Sequence, residues 1–213
     1  VTIEPIYSLV SGFYDGLAWV YKAQNESYGE SFLIDKKGEI VFKVNPDYTI
    51  LYIANKNEIV YAEKIDGQDA CGILNGKGEP ILKASKKYDF IFPADKKHFV
   101  YVHNGEYGLV DIKGNVKIRA KYSELLPMRN LLLYSANDKK GLLSYEGDKI
   151  GDELYENILP FPNNSKYTYA LDNKEWIVID RKGKEVNKGS FYDIRYDYML
   201  DRNLNLISIS SLL

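Results

Sequence analysis

Cysteine, histidine and long apolar segments are scarce in this chain. Its 213 residues include one cysteine, two histidines and two methionines. A single cysteine, Cys71, excludes an internal disulfide and a cysteine-based zinc site, and we expect neither a metal nor a cofactor. No apolar run exceeds about five residues, which is too short to span a membrane, so membrane insertion by this segment is not expected.

An excess of charge of either sign is also missing. The chain has 28 basic and 30 acidic residues and a net charge of -2. A protein that binds nucleic acid needs a field of positive charge to neutralise phosphates. The charge balance therefore predicts that nucleic acid is not a partner.

Tyrosine, by contrast, is abundant and recurs regularly. The chain has 19 tyrosines, and six of them precede a small polar or acidic residue at intervals of about 33 to 41 residues. The six are Tyr7, Tyr48, Tyr88, Tyr122, Tyr155 and Tyr192. A period of this size is typical of repeat architectures.

Each repeat contains a short apolar strand with an aromatic in third place, followed by a second strand that ends at a polar residue. A glycine follows that polar residue at an interval of three, as from Asp35 to Gly38 and from Asp111 to Gly114. An Asp, Asn or Ser suits the first position of a tight turn, and the glycine suits its left-handed end. This interval predicts a structural hairpin turn rather than a phosphate-binding loop.

Four short strands in about 36 residues, without helical periodicity, predict an antiparallel meander of the size of a propeller blade. We expect an all-β, six-bladed β-propeller-like ring of four-stranded antiparallel repeats, in one domain over 1–213. The expected units are 10–47, 48–87, 88–121, 122–154, 155–191, and 192–213 joined with 1–9. One blade would thus be composed of both termini, because each end alone would leave a bare strand edge. The alternative is an open β-repeat solenoid, which needs polar caps at its ends.

The stretches 13–20 and 32–41 resemble the bacterial WG-repeat (KWG-repeat) family, whose motif places Trp-Gly at the start of the second strand. The glycine is present at Gly72, Gly108 and Gly141, whereas the tryptophan is present only at Trp176. The resemblance covers almost the whole chain in degenerate copies. It implies a family that is widespread in bacteria, often exported or membrane-anchored, and largely without assigned chemistry. No catalytic residue can be transferred from it.

Residues for catalysis are not apparent. His98 and His103 flank one strand at an odd spacing, which points them to opposite faces, and neither GxSxG nor HExxH is present. We expect no catalytic residues and no metal ligands. Carboxylates are numerous, so a propeller-type carbohydrate-active enzyme is kept as the alternative function, although most of them lie in turns or beside the repeating tyrosine.

The candidate site consists of the third-position aromatics of the first strands. These are Trp19, Tyr61, Tyr101, Tyr134 and Tyr169. If they face a central channel, they form an aromatic collar that can stack on sugars or hold a peptide. In the other interpretation, which we favour, they pack between neighbouring blades as core.

The sequence thus favours a non-catalytic binding or interaction module of the WG-repeat type. Its ligand would be an unknown protein, peptide or glycan, and the chain would act as a monomer. A structural spacer within a longer surface protein is a third interpretation. The sequence does not determine the compartment, and the family resemblance favours an exported or cell-surface location over the cytoplasm.

Overall fold

The computed structural model describes residues 6–25, 28–161, 165–186, 191–195, 198–201 and 206–208. All regular structure in these residues is β-strand, in antiparallel pairs. The chain divides into two compact units, Val1–Val116 and Lys117–Leu213. The predicted all-β class with four-stranded antiparallel sheets is confirmed.

Two four-stranded sheets and most of a third lie in the first unit. The first sheet contains β1 (Leu9–Val10), β2 (Leu17–Ala23), β3 (Gly29–Asp35) and β4 (Ile40–Lys43) in chain order. The second contains β5 (Tyr48–Asn55), β6 (Glu58–Ile65), β7 (Gln68–Leu74) and β8 (Pro80–Ser85). The third contains β9 (Phe90–Pro93), β10 (His98–His103), β11 (Glu106–Asp111) and β12 (Val116–Tyr122), and the unit boundary falls at its last strand.

The second unit contains the remaining strands. The fourth sheet contains β13 (Glu124–Met128), β14 (Leu131–Ala136), β15 (Lys139–Leu143) and β16 (Lys149–Tyr155). The fifth contains β17 (Asn157–Ile158), β18 (Tyr167–Asp172), β19 (Glu175–Asp180), β20 (Phe191–Arg195), β21 (Tyr198–Asp201) and β22 (Leu206–Ser208), six strands in chain order.

The strand that begins at, or just after, each of the first five repeating tyrosines is the first strand of a sheet, whereas Tyr192 lies within β20 of the fifth sheet. In the second sheet, for example, β5 starts at Tyr48 and pairs with β6, so that Ile50 lies opposite Tyr61. The sheets are consecutive meanders because hairpins connect neighbouring antiparallel strands. This places the third-position aromatic on the second strand of each sheet.

The predicted polar-to-glycine turns are confirmed. Asp35 accepts a backbone hydrogen bond from Gly38 at 3.0 Å, and its carboxylate Oδ1 accepts two more, from the N–H groups of Lys37 and Glu39. Gly38 has φ of 85°, a conformation that residues with a Cβ rarely adopt. The same backbone bond and positive φ recur in the turns that start at Asn75, Asp111, Ser144 and Asp180. These residues therefore fix the geometry of the hairpin turns.

The core of the first unit lies between its sheets. Leu17 and Leu33 from the first sheet pack with Ile59, Tyr61 and Leu74 from the second, and all five are buried. On the other face of the first sheet, a second apolar cluster consists of Ala18, Val20, Phe32 and Ile34, with Tyr7 packed against it. Strands buried on both faces carry apolar residues at successive positions, as β2 does.

The predicted sixth unit, made of 192–213 and 1–9, includes residues 1–5, 196–197, 202–205 and 209–213, which lie outside the described residues. The composite blade, the count of six and the closed ring therefore stay predictions. The boundaries of the other units stay predictions as well.

Candidate ligand-binding groove

Three of the five predicted site aromatics lie directly across a strand pair from a glycine. The pairs are Tyr61–Gly72, Tyr101–Gly108 and Tyr134–Gly141. A Cβ added to Gly141 would lie 2.7 Å from Cε1 of Tyr134, and one added to Gly72 would lie 2.6 Å from Cε1 of Tyr61. The ring thus occupies the space that a side chain on the partner strand would need. These glycines are the ones that carry the WG-repeat resemblance, and in this fold they make room for a tyrosine.

Each of these tyrosines packs on the repeating tyrosine that precedes it in the chain. The ring centroids are 4.3 Å apart for Tyr48–Tyr61, 5.3 Å for Tyr88–Tyr101 and 4.7 Å for Tyr122–Tyr134. The third-position rings are only 1%, 5% and 4% exposed, respectively. Burial raises the pKa of Tyr61 to about 12 and raises the pKa of Tyr134 as well. A ligand-binding role for these three stays a prediction, which their burial disfavours.

Trp19 and Tyr169 occupy a different position from the other three. The glycine opposite Tyr61, Tyr101 or Tyr134 lies three residues before the polar residue that starts the following turn. The residue at the same distance before Asp35 or Asp180 therefore marks the corresponding position in the first and fifth sheets. Counted in this way, the equivalents of Tyr61 are Val20 in β2 and Ala170 in β18. An offset of one residue moves a side chain to the opposite face of a strand. The five aromatics share the third place of an apolar strand in the sequence, but Trp19 and Tyr169 do not share the pairing position of the other three.

Side-chain volume explains the offset. Val20 lies opposite Phe32 and Ala170 lies opposite Ile177, so a small residue on the second strand accompanies a large one on the third. In the other three sheets the large residue is the tyrosine and the small one is glycine. Either arrangement fills the same space, as close packing requires.

Trp19, which is half-buried, lines a groove of about 510 Å³ in the first unit. The groove lies between the β1–β2 loop and the edge strand β5, and its lining residues are Ser11, Gly12, Tyr14, Trp19, Ile50, Leu51, Tyr52 and Ile53. None of these residues carries a charge, and three are aromatic. Ligand sites are commonly apolar clefts of about 300–1,000 Å³ with a few polar groups. We refer to these eight residues as the aromatic groove.

Local backbone features hold the aromatic groove open. The hydroxyl of Ser11 accepts a hydrogen bond from the backbone N–H of Trp19 at 2.9 Å, which fixes the β1–β2 loop against β2. On the opposite side, the register of β5 shifts between Ile50 and Tyr52, so Leu51 is an extra residue in the strand and is 42% exposed. Such a bulge bends an edge strand and re-aims its side chains.

Aromatic rings continue from the groove across the surface of the first unit. Tyr14 is 58% exposed at one end. At the other end, the Tyr52 ring stacks on Phe90 with centroids 6.0 Å apart, and its hydroxyl donates a hydrogen bond to the Ile91 carbonyl at 3.0 Å. Burial raises the pKa of Tyr52 far above its usual value. The hydroxyl of Tyr52 is therefore a structural donor, whereas the Tyr14 ring is available to a ligand.

Sequence reasoning identified one groove residue, Trp19, and missed the others. Tyr14 and Tyr52 are off the repeating positions, and the bulge at Leu51 leaves no sequence signal beyond an apolar run. Of the other predicted residues, Tyr61 packs in the same apolar cluster as Trp19 but is buried, Tyr101 lies in the third sheet, and Tyr134 and Tyr169 belong to the second unit.

Metal and membrane sites receive no support from the described residues. No group of three or more His, Cys, Asp or Glu side chains there is placed to hold a metal ion. His98 instead pairs with Asp95, with Nδ1 2.9 Å from Oδ1, and His103 lies 3.7 Å from Asp89. The described residues also include no helix with the length and apolar character that a membrane crossing requires.

The fold and the groove define the class of protein, which is an all-β repeat module whose described residues form four four-stranded antiparallel sheets and one six-stranded sheet. Residues 1–24 match the family model described as WG containing repeat, and the resemblance predicted from the sequence is confirmed for that segment. No curated protein sequence matches the chain.

The solved structures that match this chain share little sequence with it. A structure described as the eukaryotic initiation factor is 11% identical with a TM-score of 0.52, over 87% of this chain and 54% of the other, so the chain spans about half its length. Kluyveromyces lactis Hsv2 is 11% identical with a TM-score of 0.46, over 88% of this chain and 68% of the other. The uncharacterized protein lmo1340 from Listeria monocytogenes EGD-e is 12% identical with a TM-score of 0.47, over 93% and 80%. At such identities the first of these shows the fold alone.

Proposed function

We propose that this chain is a non-catalytic binding module of the WG-repeat type and that the aromatic groove holds its ligand. The observation that supports this proposal is the joint position of Tyr14 and Trp19 in a groove of about 510 Å³ that no charged side chain lines. Partly exposed aromatics offer a large contact area at low entropic cost, which is why they dominate binding surfaces.

An apolar side chain of a peptide or protein segment suits this groove better than a glycan. Sugar hydroxyls need free polar side chains as partners. The hydroxyl of Ser11 is already bonded to the Trp19 N–H and the Gly12 carbonyl, and that of Tyr52 is bonded to the Ile91 carbonyl. Among the side chains of the groove, this leaves the hydroxyl of Tyr14 and the indole N–H of Trp19. The groove is thus mainly a hydrophobic site, and binding to it is expected to depend little on salt.

Other parts of the proposal depend on the sequence alone. We propose a monomer without enzymatic activity that binds no nucleic acid and is exported or attached to the cell surface. The balanced charge supports the statement on nucleic acid. The family resemblance supports the statement on location.

Tryptophan fluorescence provides a direct test. The chain has two tryptophans, and a Trp176→Phe variant leaves Trp19 in the groove as the only one. A library of peptides with apolar and aromatic side chains, and a glycan array beside it, would be screened for changes in its emission. For a peptide that binds, Tyr14→Ala should raise the Kd about tenfold, as expected when an aromatic side chain at the centre of a binding site is truncated.

Tyr28→Ala is a matched control. Tyr28 is also exposed, at 49%, and lies outside the aromatic groove. Its substitution should leave peptide affinity unchanged. Equal losses for both variants, or no peptide binding at all, would contradict the proposal. A glycan that binds and is hydrolysed, with turnover lost on replacing one carboxylate, would support the carbohydrate-active enzyme instead.

A further inference from the structure

Two Asn-Gly pairs occur in the chain, Asn75-Gly76 and Asn104-Gly105. In such a pair the backbone nitrogen of glycine can attack the asparagine side chain, because no Cβ on the following residue hinders the approach. The two pairs share this chemistry in sequence, and the fold places them in opposite environments.

Asn104-Gly105 forms the exposed tip of the hairpin between β10 and β11. Both residues are exposed and have positive φ, 52° and 78°, as in a two-residue hairpin turn. A Cβ built on Gly105 would meet no atom within 4 Å, so no neighbouring group crowds this side of the glycine. Tip residues of hairpins also open most readily, because the fewest backbone bonds hold them.

The Asn104 side chain is held only weakly. Its Nδ2 lies 3.3 Å from Nε2 of His103, and no described residue donates a hydrogen bond to its Oδ1. The backbone N–H of Asn104 donates to a carboxylate oxygen of Asp89 at 2.6 Å, which fixes the main chain but leaves the side chain free to rotate.

Asn75-Gly76, in contrast, is held from several sides. Oδ1 of Asn75 accepts hydrogen bonds from the N–H groups of Lys77 and Glu79, and Nδ2 donates to the Glu79 carboxylate at 2.8 Å. Both residues of this pair are half-buried, and a Cβ on Gly76 would collide with the carbonyl oxygen of Lys56. The amide carbon of Asn75 cannot move toward the glycine nitrogen without the loss of three hydrogen bonds.

We propose that Asn104 is a deamidation site of the folded protein and that Asn75 is protected by its turn. The Gly105 nitrogen loses its proton to solvent and forms a bond to Cγ of Asn104, while the bond from Cγ to Nδ2 breaks and ammonia leaves. Water then adds to one of the two carbonyls of the cyclic imide and opens it to aspartate or isoaspartate. Overall, one water molecule is consumed, one ammonia molecule is released, and the amide becomes a carboxyl group. His103, within hydrogen-bond reach of the leaving nitrogen, is placed to deliver the proton that ammonia needs.

The product would disturb the third sheet. The Asp89 carboxylate accepts the backbone N–H of residue 104, so a carboxylate formed on this residue introduces a second negative charge in the neighbourhood of Asp89, and like charges repel each other. Isoaspartate also adds a methylene group to the backbone of a two-residue turn, which breaks the register of His103 with Glu106. The modification therefore weakens the β10–β11 pair from its tip.

Peptide mapping by mass spectrometry tests this site in the whole folded chain. After incubation in mildly alkaline buffer, the peptide with Asn104 should gain about 1 Da, the difference between an amide and an acid. Fragmentation that separates aspartate from isoaspartate should show both. The peptide with Asn75 should convert at least about tenfold more slowly, because its hydrogen bonds must first break.

The same chain in strong denaturant is the control, since both pairs should then react at similar rates. Equal rates in the folded protein, or faster reaction at Asn75, would overturn the proposal. Asn104→Gln should remove the modification, because its longer side chain forms the ring less readily. His103→Gln should slow conversion of Asn104, and an unchanged rate would overturn the role of the imidazole.

Discussion

A Gly141→Ala substitution should destabilise the second unit because the Tyr134 ring occupies the space of the new methyl group. The added Cβ would lie 2.7 Å from Cε1, 2.8 Å from Cζ and 2.8 Å from the hydroxyl oxygen of Tyr134. Normal carbon contacts are about 3.5–4.0 Å, so the ring must move by about 1 Å. The Tyr122 ring, with its centroid 4.7 Å away, resists that movement. Overpacking of this kind costs about 1–3 kcal/mol, which lowers Tm by about 3–10 °C in a chain of this size.

With a second substitution at Tyr134, Gly141→Ala should stabilise the fold instead of destabilising it. Tyr134→Val reproduces the small residue that β2 has at Val20, and it costs about 2–4 kcal/mol because it leaves a cavity. In that background the methyl group introduced by Gly141→Ala meets no ring. Gly141 has no positive φ, so alanine should then stabilise the fold by about 0.4–1 kcal/mol through the unfolded chain.

Thermal and urea unfolding would be measured for the unmodified chain, for Gly141→Ala, for Tyr134→Val and for the double variant. We expect the two substitutions to depart from additivity in the free energy of unfolding by at least about 1.5 kcal/mol. Gly72→Ala with Tyr61→Val is the control cycle. A Cβ on Gly72 also meets backbone atoms, the nitrogen of Ala84 at 2.6 Å and the oxygen of Leu82 at 2.8 Å, so the tyrosine substitution should not rescue it. The reasoning is refuted if Gly141→Ala lowers Tm equally with and without the Tyr134 ring.

Two further predictions concern a turn and the buried tyrosines. Asp35→Ala should lower the free energy of unfolding by about 1–2 kcal/mol, because the N–H groups of Lys37 and Glu39 lose their acceptor. Asp35→Asn should be nearly neutral, because Asn75 accepts the same bonds in the second sheet. Equal losses in Tm for the two variants would contradict this role of Asp35. Burial raises the pKa of Tyr61 from 10.0 to about 12, so the folded state keeps a proton that the unfolded state releases. The stabilisation is complete below pH 10 and is lost as pH rises through about 12. Between these two pH values, the Tm of Tyr61→Phe should therefore fall less steeply with pH than the Tm of the unmodified chain. An unchanged slope would count against a buried Tyr61 hydroxyl.

The sequence alone predicted the repeating unit, because its signals are local. Alternation of apolar residues, the spacing of the six tyrosines and the interval from Asp35 to Gly38 each depend on a few neighbouring residues. The three-residue interval from polar residue to glycine recurs five times, so the prediction of hairpin turns does not depend on any one of the matches. The all-β class and the hairpin turns follow from these patterns.

The different positions of Trp19 and Tyr61 in their strand pairs could not be predicted in the same way. Trp19 and Val20 are both apolar, and either could hold the third position of an apolar strand. The choice depends on which residue of β3 lies opposite, and that pairing is a tertiary contact. Phe32 lies opposite the smaller side chain of Val20, whereas Gly72 leaves room for the Tyr61 ring.

The sequence by itself determined that this protein is a series of antiparallel meanders with polar turns, because strand periodicity and turn chemistry depend on adjacent residues. Only the tertiary structure decided which aromatics are core and which line a groove. Burial of Tyr61 and partial exposure of Trp19 and Tyr14 depend on the facing strand, on the bulge at Leu51 and on the neighbouring sheet. Those contacts join residues far apart in the chain, and side-chain volume across them, rather than local propensity, sets the outcome.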